Sequence, residues 1–226
     1  MDTPHEQLSL ALAPVEPFAL DYFVSHSGVC EAARALEQAA HEVAGEHGCF
    51  RILFIWGPPG SGKTHLAAGC RASALKSGYP AMSVRLFCAD ASTEHESQPE
   101  EQIGGGGSFI AAYDEMKAGG GLIVITSRRS PGESTANPHL TSRYSAGSVL
   151  KVAYPRDDEL QPVLASLSER CNLRLSDRSM QYLLHRLPAD PLSFVNIFKR
   201  INEISFAHNK RAGLGVMREI FARKQP

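Results

Sequence analysis

The chain has 226 residues, 43% hydrophobic and 21% charged, figures ordinary for a globular protein with ample material for a core. Its net charge of −1 does not mark a bulk-electrostatic nucleic-acid binder, and no apolar stretch approaches the length of a membrane span. The start, MDTPHEQ, lacks the basic residues of a secretory signal, and the five cysteines, odd in number and without C-x-x-C spacing, fit reduced core thiols of a cytoplasmic protein better than disulfides or zinc.

Residues 1–16 read as a tail whose one apolar cluster is Gln7-Leu8-Ser9-Leu10-Ala11-Leu12. A short extended peptide with alternating leucines and one amide docks in a partner's groove, or folds back as a strand on its own domain; the pattern leaves both open. Phe18 to Val24 follows, with Phe23 and Val24 placed either to wall a nucleotide base or to join the core. Ser25 to Ser27 cap a helix that runs to about Val43, because Val29, Ala33, Leu36, Ala40 and Val43 keep one apolar stripe.

The stretch around which the chain is organised is Phe50 to Ala68. Ile52 to Trp56 is a continuous apolar run of buried-strand length. Gly57-Pro58-Pro59-Gly60-Ser61-Gly62-Lys63-Thr64 then fits the phosphate-loop pattern G-x-x-x-x-G-K-[ST] without mismatch, and a helix begins at once through His65. Glycines let backbone N–H groups curl around an anion, and the helix N-terminus adds a favourable dipole. Lys63 is expected to reach the outer phosphates of ADP or ATP, and the Thr64 hydroxyl to ligate Mg²⁺.

Met82, Val84, Leu86 and Cys88 alternate along a strand over 81–89 that Asp90 ends. Residues 89–107 hold five acidic residues, no Lys or Arg, and four closing glycines, the chemistry of a flexible linker. Ser108 caps a helix over 109–117, and Leu122 to Thr126 is a second buried strand. Asn137 with Pro138 starts a short helix through Arg143, and Val149 to Ala153 reads as a further parallel strand. The remainder is helical: one stripe through Leu160, Val163, Leu164 and Leu167, then helices capped by Ser176 and by Asp190-Pro191, and a last one over 216–221. The expectation is an α/β body over 17–153 with a parallel sheet, followed by a helical lid over 154–226. Residues 169–226 carry 11 Lys/Arg against 5 Asp/Glu, which suits either a face toward DNA or an acidic partner, or the solvated sides of amphipathic helices.

Assembled, these motifs resemble the DnaA family of AAA+ P-loop ATPases, and among them the shorter Hda-type regulators. Gln7, Leu8, Leu10 and Leu12 are similar to a sliding-clamp-binding motif, the loop GPPGSGKTH is close to the family form, and Pro138 to Tyr144 resembles the box whose arginine, here Arg143, is the family's finger. The chain also stops where such regulators stop, ahead of a DNA-reading helix-turn-helix. The resemblance implies an AAA+ core with a lid, ADP or ATP with Mg²⁺, the sliding clamp and DnaA as partners, weak or indirect DNA contact, and a role in negative regulation of replication initiation. It leaves the oligomeric state, a homo-oligomer among the options, undetermined.

Three departures stand beside it. The family carries a strand ending in an acidic pair between the loop helix and the strand at 122–126; here Asp90 is the one carboxylate at a strand end in that interval. Arg128 stands where the family has a sensor aspartate, and Leu192 where it has a sensor arginine. Two arrangements follow: strand 82–89 keeps an edge place with nothing replacing the pair, or it moves beside strand 122–126 and brings Asp90 toward Thr64 as a substitute metal ligand. The second keeps backbone groups paired and is preferred. Intrinsic hydrolysis is in doubt in either.

Overall fold

The computed structural model describes residues 24–45, 48–76, 78, 80, 83–90, 100–103, 108–207 and 212–222. The tail motif, with Gln7, Leu8, Leu10 and Leu12, lies outside them, as does Phe23. Five strands form one sheet: β1 Phe50–Trp56, β2 Val84–Cys88, β3 Glu100–Ile103, β4 Gly121–Ser127 and β5 Ser148–Lys151. Their order is β3-β2-β4-β1-β5, with β2, β4, β1 and β5 parallel and β3 antiparallel on the β2 edge.

The sheet is buried on both faces because its central strands alternate between two apolar clusters. Leu53 and Ile55 of β1 face α1 (Cys30–Gly45) and α2 (Lys63–Lys76), meeting Leu36, Val43, Leu66 and Cys70. Ile52 and Phe54 face α3 (Phe109–Gly119) and α5 (Pro138–Tyr144), where Phe109, Leu140 and Tyr144 close the other side. Both faces being covered explains why β1 and β4 read as unbroken apolar runs. Burial also pushes the Cys70 thiol up to about 12, so it is an inert core group. A third cluster, built from α6 (Leu160–Arg170), α7 (Asp177–Leu184), α8 (Pro191–Ala207) and α9 (Leu214–Ala222), centres on Leu164, Phe194, Phe198 and Met217.

The caps expected from sequence are present where side chains reach. Asn137 accepts from the His139 N–H at 2.9 Å, Ser176 from Ser179 at 3.3 Å, and Asp190 from Ser193 at 2.8 Å. Ser108 precedes α3 but makes no side-chain cap bond. The one-turn helix α4 (Pro131–Ser134) was not anticipated, although Ser130 and Glu133 form a capping box that its sequence contains.

Two expectations are corrected. The segment 89–107 is not linker throughout, since 100–103 pairs with β2 as β3. An antiparallel strand there satisfies the outer edge of β2, an edge that would otherwise offer unpaired N–H and C=O groups. The last strand lies at 148–151 rather than 149–153: beyond it the Val152 N–H still donates to Trp56 at 2.8 Å, but the Ala153 N–H turns to Gly28 at 2.9 Å, ahead of α1. Between the two arrangements weighed for strand 82–89, β2 lies directly beside β4, in register from Val84 opposite Leu122 to Cys88 opposite Thr126. Among the described residues, no helix is long and apolar enough to cross a membrane.

Candidate functional site

The site is built where the parallel strands end, the end of an open α/β sheet at which ligands bind. β1 stops at Trp56, and the chain turns through Gly57 to Gly62 into α2. Gly60 and Gly62 have φ of +77° and +93°, backbone states that L side chains disfavour. Gly57 is needed for another reason, since a Cβ there would lie 2.2 Å from the Val152 carbonyl oxygen. Ser61 pins the loop by donating to the Pro58 carbonyl at 2.8 Å, and the Gly57 N–H donates to Ser127 at 3.2 Å.

Lys63 is buried and donates to the Gly57 and Pro58 carbonyls at 2.9 and 2.8 Å. Burial lowers its pKa, the nearby Asp90 opposes that shift, and Arg128 adds to it. The ammonium therefore lies within the fields of Asp90 and Arg128, which follow β2 and β4. Thr64, one residue on, is exposed at the first turn of α2. His65 is half-buried, and its pKa is lowered by burial and by Arg170 of α6.

Asp90 follows β2 and lies across the end of β4. Its Oδ1 accepts from the Ser127 hydroxyl at 3.2 Å and from the Arg128 N–H at 2.8 Å, while Oδ2 stands 3.6 Å from Arg128 Nε. Ser127 is fully buried and its Oγ also accepts from the Arg129 N–H at 3.1 Å. This placement is the one the β2–β4 pairing predicts. The fit to Mg²⁺ is poor. One carboxylate, already engaged by a hydroxyl, an amide and a guanidinium, faces two side-chain cations. The charge around Asp90 thus disfavours, on chemical grounds, a divalent cation shared with Thr64.

The helices after β5 meet the loop from the other side. Tyr154 donates to the Pro59 carbonyl at 2.6 Å. A Cβ on Gly60 would meet Asp190 Oδ1 at 2.8 Å and Leu192 Cβ at 3.2 Å, so the start of α8 lies on the phosphate loop. Leu192 is 52% exposed beside it, an apolar residue at the position where the resemblance expects a sensor arginine. The contact of Tyr154, Asp190 and Leu192 with the loop was not read from sequence, and only the lid alignment of Leu192 hinted at it.

A second seam joins the two helical regions. Glu159 accepts from the Ser27 N–H and hydroxyl, both at 2.7 Å, and from the Arg156 N–H at 3.0 Å. These bonds, the Arg156 amide foremost, lower its carboxyl to about 2. Val24 is half-buried just ahead of this seam, and neighbouring His26 is buried with its Nδ1 unpartnered and its pKa lowered by burial.

Arg143 lies away from the phosphate loop, on α5. Its guanidinium sits 5.3 Å from the Tyr113 ring centroid and 3.9 Å from Asp114 Oδ1 on α3, with Nη1 donating to the His139 carbonyl at 3.4 Å. The structure thus brings together Gly57, Pro58, Pro59, Gly60, Ser61, Gly62, Lys63, Thr64, His65 and Asp90, and keeps Arg143 apart.

No protein-family model matches the chain. In sequence it is 24% identical over 180 residues to chromosomal replication initiator protein DnaA 2 of Chlamydia caviae, covering 68% of this chain and 39% of that protein. It is 29% identical over 156 residues to an uncharacterised protein of Haemophilus influenzae, covering 62% of this chain and 68% of the other. The chain spans about two-fifths of the length of the DnaA relatives it matches, 39% and 38%. In structure it superposes on AMPPCP-bound DnaA from Aquifex aeolicus with a TM-score of 0.65 at 18% identity, covering 94% of this chain and 72% of that one. The chain shares the α/β fold of that DnaA structure.

Proposed function

We propose that the chain is a DnaA-related regulator of replication initiation that holds an adenine nucleotide and lends its chemistry to a partner. The observation that carries this reading is the formed phosphate loop: glycines at φ +77° and +93°, buried Lys63, and α2 beginning at Lys63. The Aquifex aeolicus relative is a DnaA bound to AMPPCP, which supports ADP or ATP as the ligand. Gln7 to Leu12 would dock on the sliding clamp, and Arg143 would act on nucleotide held by a neighbouring DnaA. The position of Arg143, on a helix remote from its own loop, supports a role in trans. An arginine so supplied stabilises charge on the transferred phosphoryl group and is worth about 10³–10⁵ in rate.

The test is turnover of DnaA-bound ATP in the presence of clamp on DNA. Wild type is expected to stimulate hydrolysis and Arg143→Ala to lose the stimulation while keeping clamp binding. Equal stimulation by both proteins removes Arg143 from the mechanism.

A second reading, an active remodelling ATPase of helicase-loader type, is favoured by one observation, the placement of Asp90 at the end of β2 beside β4. It predicts steady turnover by the isolated chain that Lys63→Ala abolishes. A non-enzymatic adaptor predicts instead that neither ADP nor ATP binds.

A further inference from the structure

We propose that the Arg128 guanidinium takes the place of the divalent cation, so that this chain binds a nucleoside diphosphate without Mg²⁺. The proposal rests on the nucleotide-holding reading above and concerns how the same site balances charge. A phosphate loop paired with two carboxylates and a divalent cation presents a lysine, two negative charges and two positive ones. The net is one positive charge toward the phosphates. Here the same corner holds Lys63, Arg128 and Asp90. Two cations against one carboxylate again leave one positive charge, and no metal is required to reach it.

The geometry fixes Arg128 where this works. Its backbone N–H donates to Asp90 Oδ1 at 2.8 Å, which ties the residue to the end of the sheet. Its side chain is 67% exposed with Nε 3.6 Å from Asp90 Oδ2, so the guanidinium is held by a long, single-sided ion pair. Such a pair contributes little to stability, which leaves the side chain able to turn its donors to an arriving phosphate. The planar fork of arginine matches two phosphate oxygens at once. A divalent cation placed on Asp90 Oδ2 would meet this guanidinium across the same carboxylate and would add two charges to a corner already positive. Buried Ser127 and the Arg128 amide engage Oδ1, so the oxygen left for a cation is the one that already faces the guanidinium.

The test is calorimetric titration of the full chain with ADP in two buffers, one with MgCl₂ and one with EDTA. Wild type is expected to show dissociation constants within about threefold of each other. Arg128→Asp sets a second carboxylate beside Asp90 and is expected to weaken binding in EDTA by about tenfold or more, with recovery on adding Mg²⁺. Arg128→Lys keeps the charge and is expected to stay Mg²⁺-independent. The residue is exposed, and circular dichroism of each variant should match wild type. Wild-type binding that improves more than about tenfold with Mg²⁺ overturns the proposal while leaving nucleotide holding intact. Binding by Arg128→Asp equal to wild type in EDTA overturns it as well. Absence of ADP binding by wild type in both buffers overturns the nucleotide-holding reading itself.

Discussion

The phosphate loop and the sheet edge beside it have followed different rules. Gly57 to Thr64 matches its motif at every position, and its conformation follows from that motif: two glycines at positive φ, a third pressed against Val152, and a lysine folded onto the loop's own carbonyls. The edge formed by Asp90, Ser127 and Arg128 has one carboxylate where the resemblance implies two, and a cation in place of an acid. A loop that grips phosphate needs backbone geometry, while an edge that cleaves it needs carboxylates to place metal and water. The loop meets the first set of requirements, and the function proposed above takes the second to be unmet where Asp90 is engaged by Ser127 and Arg128, which would separate holding a nucleotide from hydrolysing it.

That contrast can be strained from either side. The largest effect is expected from Gly57→Val. A Cβ would lie 2.2 Å from the Val152 carbonyl, with backbone on the other side of the clash. Destabilisation above about 3 kcal/mol is expected by denaturant unfolding, since the overpacked atom cannot move alone. Gly132→Ala, with nothing within 4 Å of its Cβ, serves as the tolerant control and should stay within about 0.5 kcal/mol.

Ser127→Ala attacks the edge instead. The hydroxyl is fully buried, donates to Asp90 and accepts from the Arg129 amide. A loss of about 1–2 kcal/mol is expected, because the hydroxyl's partners lose a buried hydrogen bond. Because Arg128 stays tied to Asp90 through its own backbone amide, ADP affinity should change far less than stability does.

The smallest effect concerns the seam between α1 and α6. The folded-state pKa of Glu159 is depressed to about 2 by the hydrogen bonds it accepts. Its contribution is therefore present above the unfolded carboxylate value of about 4.3 and fades as pH falls toward the folded value. Glu159→Gln should flatten the acid limb of stability between those limits by lowering the neutral plateau, with little change at the acid end, read by thermal melts across pH.

Much of the sheet and the whole phosphate loop were legible because each depends on local pattern. Apolar runs at 52–56 and 122–126 announce strands buried on both faces, and the loop motif states its own backbone. Asn137, Ser176 and Asp190 announced helix starts in the same way. The strand at 100–103 was hidden because Glu-Glu-Gln-Ile carries no alternation of its own, and it pairs only because β2 has an open edge. The lid contacts of Tyr154 and Asp190 with the loop join residues some 95 and 130 positions away along the chain, and no local signal encodes them. Arg143 was legible as a motif residue, but its packing on Tyr113 and Asp114 was not, since α3 and α5 meet only in the fold.

The most direct measurement follows the fate of ATP bound to the isolated chain. Protein loaded with γ-labelled ATP and freed of excess should retain it intact, releasing labelled phosphate orders of magnitude more slowly than the turnover of about 1 s⁻¹ common among enzymes, while Lys63→Ala retains none. Release of phosphate at about 1 s⁻¹ or faster by the wild-type chain alone would contradict the separation of holding from hydrolysis.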